Sequence, residues 1–208
     1  MLDQVMYGLA AIVALISACL NALPIIRSKD AFRLLWFFSF IFLFVLTASM
    51  SLKGLEIIGE SYVPPLASFI PGFLSCGLVY AMFGQRCAKY YLTYILLFFL
   101  LLVYASAVGG IPLTLPVLFI HVPSGVIIFA FPIVAVVLGK SDFTALLLSI
   151  GGLLIGIGGL ALAAIRFSNP LLSLDLITKI LAPLFLEITI FFSIGTLTTK
   201  KWSKVGEC

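Results

Sequence analysis

Long apolar runs alternate with short polar connections along the whole chain. Each run is close to or above the roughly 20 residues that a helix needs to cross the hydrocarbon core of a bilayer. Transmembrane β-strands are shorter and alternate polar with apolar residues, a pattern that these runs lack. The pattern therefore predicts an all-α integral membrane protein, a bundle of seven transmembrane helices. The predicted helices cover Val5–Ile26, Leu34–Leu52, Val63–Gly84, Tyr91–Val108, Leu113–Gly139, Phe143–Ile165 and Leu172–Thr199.

Basic residues are distributed unevenly between the two ends of these helices. Of the 12 lysines and arginines, only Lys53 and Arg166 lie on the side of the even-numbered connections, and Lys179 lies inside the last helix. The opposite side carries the other nine, Arg27, Lys29, Arg33, Arg86, Lys89, Lys140, Lys200, Lys201 and Lys204. Lysine and arginine accumulate in cytoplasmic connections. We therefore expect a multi-pass protein of the cell membrane, with its N-terminus outside and its C-terminus in the cytoplasm.

Composition excludes the main soluble classes. The chain of 208 residues is 63% hydrophobic and 10% charged, and its mean hydropathy is +1.29. Soluble domains contain about 25% charged residues. The sequence thus predicts a single transmembrane domain over residues 1–208, with membrane lipids, further copies or a larger membrane complex as partners and no nucleic acid.

A weak internal repeat links the first three predicted helices with the last three. Pro24 precedes the basic turn Ser28–Phe32, and Pro132 precedes a similar turn at Gly139–Phe143. A layout of three helices, one linker helix and three helices is one that transporters build from repeats. Its helix count and orientation are similar to those of the sugar-uniporter family related to PQ-loop proteins. Pro24 is followed by isoleucine rather than glutamine, however, so no family is assigned.

Small residues recur along the predicted sixth helix. Gly152, Gly156, Gly159 and Ala163 follow a spacing that places them along one narrow face. Such faces let two helices approach closely in lipid, where van der Waals contact drives helix association. We expect this face to form an internal packing seam or a dimer seam.

Prolines lie inside most of the predicted helices, where each removes a backbone hydrogen bond. At Pro123, with Gly125 two residues further on, we expect a kink or a short unwound stretch, which is tolerated only against protein or a water-filled cavity. The kink positions predicted from the sequence are Pro24, Pro71, Pro123, Pro132 and Pro183.

Three ionisable residues fall within the predicted last helix. Asp175, Lys179 and Glu187 are separated by multiples of four, so they drift slowly around one face. Asp175 and Lys179 can pair across one turn. Glu187 lies between Leu186 and Ile188 near the middle of the helix, where a charge costs about 2.5–3.5 kcal/mol on insertion scales. We therefore expect Glu187 to face the bundle. It would there be either a neutral acid hydrogen-bonded to another helix or part of an ion or ligand pathway with Lys179, Asp175 and His121.

His121 is the single histidine of the chain, in the outer part of the predicted fifth helix. We expect it to donate to a carbonyl freed near Pro123. Haem ligation through His121 and a metal site are not favoured, because metal sites normally need three or four ligands.

The segment Leu174–Lys179 resembles the last helix of microbial rhodopsins, in which an aspartate lies four residues before the retinal-bearing lysine. The resemblance implies retinal on Lys179. The predicted third helix has no acidic counterion, however, and the sixth has no aromatic residue between Thr144 and Ala164. We therefore expect no cofactor and a structural role for Lys179.

Three functions remain open on the sequence. The first is a small-solute or ion-coupled and proton-coupled transporter, or a channel-like carrier, that uses the intramembrane carboxylate. The second is a non-catalytic subunit or sensor of a larger membrane complex, for instance a respiratory or redox one. The third is a lipid-modifying enzyme, which is the weakest because no acidic pair, Ser/His pair or metal cluster is found in the connections. The transporter leads, and we expect no catalytic residues.

Overall fold

The computed structural model describes residues 2–28, 31–108, 112–166, 174–199 and 202–206. These residues form seven α-helices, two short 3-10 helices and no named strand. The all-helical bundle with seven helices is confirmed. The helices are α1 (Leu2–Ser28), α2 (Ala31–Lys53), α3 (Val63–Phe83), α4 (Gln85–Val108), α5 (Thr114–Val137), α6 (Leu146–Arg166) and α7 (Leu174–Thr198).

Most boundaries agree with the sequence prediction to within a few residues. The largest difference is in α4, which begins at Gln85 rather than Tyr91. Gln85 directly follows Gly84, whose positive φ of 86° separates α3 from α4. The polar residues Gln85, Arg86 and Lys89 form the first turns of α4, because the turn at Gly84 is tight enough to start a helix at once.

Six helices are long and apolar enough to cross a membrane: α1, α2, α3, α4, α5 and α7. In α6, the apolar stretch within the described residues runs over Phe143–Gly158 and is shorter. These helices are compatible with a multi-pass membrane protein.

Each proline expected to kink a helix lies inside a helix that continues past it. In particular, α5 runs unbroken through Pro123, so the predicted unwound stretch is wrong. Pro123 cannot donate to the carbonyl of Phe119 four residues earlier. That carbonyl instead accepts a hydrogen bond from the Tyr94 hydroxyl of α4 at 2.8 Å, so the helix needs no break there.

Six helices form a closed ring, in the order α1, α2, α3, α5, α6, α7 and back to α1. The remaining helix, α4, packs outside the ring against α3 and α5. The ring keeps the same pattern of neighbours when α1–α3 are exchanged with α5–α7.

Large side chains from all six ring helices fill the middle of the ring. The main buried cluster draws on every ring helix and on none of the residues of α4. Its largest fully buried members are Trp36, Tyr7, Phe40 and Phe192. Packed aromatic and aliphatic groups therefore fill the space that the ring encloses in this structure.

Two side chains of α2 donate to backbone carbonyls of α3. The Trp36 indole Nε1 donates to Leu74 O at 3.2 Å, and the Ser39 hydroxyl donates to Ile70 O at 2.7 Å. Gly77 lies directly against the Trp36 indole, and a Cβ at this glycine would be 2.2 Å from Nε1. The absence of a side chain at Gly77 therefore sets the distance between α2 and α3.

The glycines of α6 pack on two sides rather than along one stripe. Gly152 lies against α5, where an added Cβ would be 3.1 Å from the backbone nitrogen of Phe129. Gly151 and Gly158 lie against α7. Gly156 is exposed, with open space around it, so the prediction of one internal seam through it is wrong. Gly159 and Ala163 belong to α6, but their surroundings lie outside the described residues.

This arrangement makes Gly152 and Gly156 a matched pair for mutagenesis. We expect Gly152→Ala to lower the free energy of unfolding by about 1–3 kcal/mol, because the new methyl meets backbone that has no room to move. Gly156→Ala should instead be neutral or stabilising by up to about 1 kcal/mol, because alanine is the better helix former. Unfolding in mixed micelles measures both. Equal melting of the two variants would contradict the assigned packing of α6.

The chain after α7 returns across one end of the ring. Ser203 N donates to Lys140 O at 2.9 Å in the α5–α6 connection, and Val205 N donates to Met82 O at 2.7 Å at the end of α3. The Trp202 ring packs edge-on against Trp36, with centroids 6.0 Å apart. The tail and the third and fifth connections therefore lie at the same end of the bundle, as the charge pattern requires.

Candidate functional site

The structure places Glu187 on the outside of the bundle. Glu187 is exposed on α7, while Thr189 and Ser193 are buried. The prediction that Glu187 faces the interior is wrong. The hydroxyl-bearing face of α7 packs inward, and the helical period turns Glu187 to the opposite side.

Lys179 is also exposed on α7. The side chain of Asp175 lies outside the described residues, so the Asp175–Lys179 pair stays a prediction. The exposed Lys179 does not lie in the interior of the ring.

His121 lies in α5 and is half-buried. Its Nδ1 is 3.1 Å from the carbonyl oxygen of Val117 in the same helix. The carbonyl that Pro123 frees is that of Phe119, and Tyr94 takes it, so the partner expected for His121 is corrected. Within the described residues, no group of three His, Cys, Asp or Glu side chains could hold a metal ion.

A first buried polar cluster lies between α1 and α7. The hydroxyl oxygens of Ser17 and Ser193 are 2.7 Å apart. One turn further along, Asn21 Nδ2 donates to Ser17 O at 2.9 Å and lies 3.5 Å from Thr196 Oγ1. All four residues are at most 5% exposed. We call them the Asn21 cluster.

In the Asn21 cluster, the hydrogen-bond donors already have acceptors, while some acceptor atoms have no donor. The hydroxyls of Ser17, Ser193 and Thr196 each reach the carbonyl four residues earlier in their own helix, at 2.6–2.8 Å. Asn21 Oδ1 is buried and has no donor among the described residues. A hydroxyl has one proton and two acceptor sites, so the cluster suits a ligand that brings hydrogen-bond donors.

A second buried polar cluster lies between α3, α4 and α5. The hydroxyls of Ser75, Tyr91 and Ser124 form a triangle with sides of 3.1–3.2 Å. Ser75 and Ser124 are fully buried. We call these three residues the Ser75 cluster. Among the described hydrogen bonds, this is the only triangle of hydroxyls to which α4, the helix outside the ring, contributes.

The two clusters occupy equivalent positions in the ring. If α1–α3 are matched with α5–α7 in order, the α3–α5 contact corresponds to the α7–α1 contact. Each is a contact between parallel helices, and each contains a buried pair of serine hydroxyls, Ser75 with Ser124 and Ser193 with Ser17.

Charged side chains are absent from the buried polar set of the described residues. The set consists of serines, threonines and Asn21 alone. Sequence reasoning missed these residues because it weighed ionisable groups first. Two signals were available: Asn21 is the one asparagine within a predicted helix, and Thr189, Ser193 and Thr196 repeat at helical spacing.

The chain matches no protein-family model, no curated protein and no solved structure.

Proposed function

We propose that this protein is a small-solute carrier of the cell membrane, built from two halves, α1–α3 and α5–α7, with α4 as the linker. The observation that carries the proposal is a ring made of two sets of three consecutive helices, with α4 outside it and a buried pair of serine hydroxyls at both contacts between the sets. Carriers built from repeats bind their solute at the contact between repeats and rock one half against the other.

The contacts between the halves supply polar groups for such a site. The α1–α7 contact contains the Asn21 cluster, and the α3–α5 contact contains the Ser75 cluster. Buried hydroxyls across a helix contact add little stability in a membrane, about 0.6 kcal/mol on average. These hydrogen bonds therefore add little to the cost of separating the two helices at each contact.

The side chains at these contacts favour an uncharged solute. Only hydroxyl and amide groups are buried there among the described residues. A charged solute would lose its hydration without gaining a counter-charge, which costs far more than burying a hydroxyl. The acceptor-rich Asn21 cluster supports a solute with hydroxyl or N–H donors. Glu187 lies away from both contacts, so the proposal does not use its carboxylate.

Accessibility of introduced cysteines tests the proposal before any solute is known. In a background without the four native cysteines, Ser17→Cys and Ser124→Cys should each react with an impermeant thiol reagent from both sides of the membrane. Rocking of the halves would open each contact to one side and then to the other. Right-side-out and inverted vesicles give the two measurements.

Ser39→Cys is the matched control. Ser39 is a buried serine between α2 and α3, within one half, and donates to Ile70 O. Its cysteine should stay unreactive from both sides. If the cysteines at positions 17 and 124 are as unreactive as that at 39, the halves do not move apart and the carrier proposal fails.

A further inference from the structure

Glu187 is a carboxylate at the middle of a lipid-facing helix surface. It lies 13 residues after Leu174 and 11 before Thr198, which at 1.5 Å per residue is roughly 16–20 Å from either end of α7. Its exposed neighbours on α7 are Ile190 and Ile194. On α6, at a similar depth, the exposed residues are Leu153 and Ile157. These described neighbours at the depth of Glu187 are all apolar.

Nothing within the described chain relieves the cost of this carboxylate. No described side chain donates a hydrogen bond or forms an ion pair with Glu187. Its stem is too short to reach either interface, unlike the long stems of lysine and arginine that snorkel. Protonation would remove the charge but leave a hydroxyl donor without an acceptor in hydrocarbon, where unsatisfied polar groups cost several kcal/mol. A partner from outside the chain would remove this cost.

We infer that the outer face of α7 around Glu187 binds a transmembrane helix of another protein that carries a lysine or arginine at mid-membrane depth. The cation is the complement of the carboxylate, and each residue alone is costly in the bilayer. The exposed Ile190 and Ile194, which follow Glu187 along α7, provide apolar surface for van der Waals contact between the two helices.

Two other occupants fit the surface less well. A second copy related by an axis along the membrane normal would bring Glu187 against Glu187, because symmetric contacts repeat the same patch. Two like carboxylates repel each other. Lipid headgroups lie about 15 Å away, at the edges of the roughly 30 Å hydrocarbon core, so their cations do not reach the carboxylate.

The test uses the purified full-length protein in liposomes with a synthetic helix. The helix is a single-span leucine–alanine peptide with one central lysine, and fluorescence transfer reports its association with the labelled protein. We expect the wild type to bind this peptide at least tenfold more tightly than Glu187→Gln does. A peptide with leucine in place of lysine should not distinguish the two proteins. Glu60→Gln, which changes an exposed acid between α2 and α3, should bind as the wild type does.

A second variant distinguishes binding at the α7 surface from attraction to a carboxylate placed anywhere at the same depth. Leu97 is 63% exposed on α4 and lies 12 residues after Gln85 and 11 before Val108. The double variant Leu97→Glu with Glu187→Gln therefore carries a carboxylate at a similar depth on another face, and it should bind the lysine peptide weakly. Equal binding by this variant and the wild type would overturn the site. If the wild type and Glu187→Gln bind the lysine peptide equally well, the inference of a cationic partner is wrong. It is also wrong if fluorescence transfer between copies of the protein itself depends on Glu187. None of these results depends on cysteine reactivity at position 17, so the carrier proposal stands or fails separately.

Discussion

Replacing Gly77 with alanine is expected to lower the free energy of unfolding by about 3 kcal/mol, the upper part of the usual range for overpacking. The new Cβ would lie 2.2 Å from Nε1 and 2.4 Å from Cδ1 of Trp36. Trp36 is fully buried and donates to Leu74 O. The rings of Phe32 and Trp202 pack edge-on against it. The indole therefore cannot move aside without losing its hydrogen bond or its ring contacts.

Gly125→Ala is the matched control for Gly77→Ala. Gly125 also lies inside a long helix, α5, but nothing lies within 4 Å of its added Cβ. Alanine there should be neutral or stabilising by up to about 1 kcal/mol. Tryptophan fluorescence during unfolding in mixed micelles measures both variants. If Gly77→Ala and Gly125→Ala have the same free energy of unfolding, the close approach of α2 and α3 at Trp36 is wrong.

The second prediction with a large expected effect concerns the side of the membrane on which the C-terminus lies. A fluorescent protein that matures only in the cytoplasm, fused after residue 208, should be bright. A reporter enzyme that is active only outside should be inactive at the same position. The physical reason is that nine of the 12 basic residues lie at one end of the helices, and such residues are retained in the cytoplasm.

Fusion after Arg166, at the end of α6, is the control for orientation. Six helices precede this point rather than seven, so both reporters should reverse their signals there. The same reporter signal at residues 166 and 208 would show that α7 does not cross. Reversed signals at both positions would show that the bundle is inverted.

The elements of this fold could be predicted from the sequence because each is a local property. The apolar runs set the number of helices, and their lengths set the boundaries. The start of α4 differed because Gly84 permits a tight turn directly before polar residues, and hydropathy alone does not report turn geometry. The basic residues around the tail also indicated which connections share an end. The hydrogen bonds of Ser203 and Val205 bring the tail to two of those connections.

The candidate site was harder to predict, because it depends on which helices become neighbours. Glu187 was expected inside from the cost of a charge in lipid. That cost says only that a carboxylate needs a partner, and the partner can belong to another chain. The internal seam expected at Gly152 and Gly156 was wrong for a similar reason, since small residues permit close approach but do not supply the neighbouring helix. The alternative of a dimer seam stays a prediction.

The sequence by itself thus determined the fold class, the number of helices and the charge asymmetry, because these follow from residues read one after another. Only the tertiary structure decided that six helices form a ring with α4 outside, and that Asn21 and Ser17 meet Ser193 and Thr196. It also decided that Glu187 faces outward. In lipid every face of an apolar helix is equally soluble, so hydropathy carries no record of which face is buried. Close approach of backbones, as at Gly77, and pairing of the few polar groups decide which face packs inward.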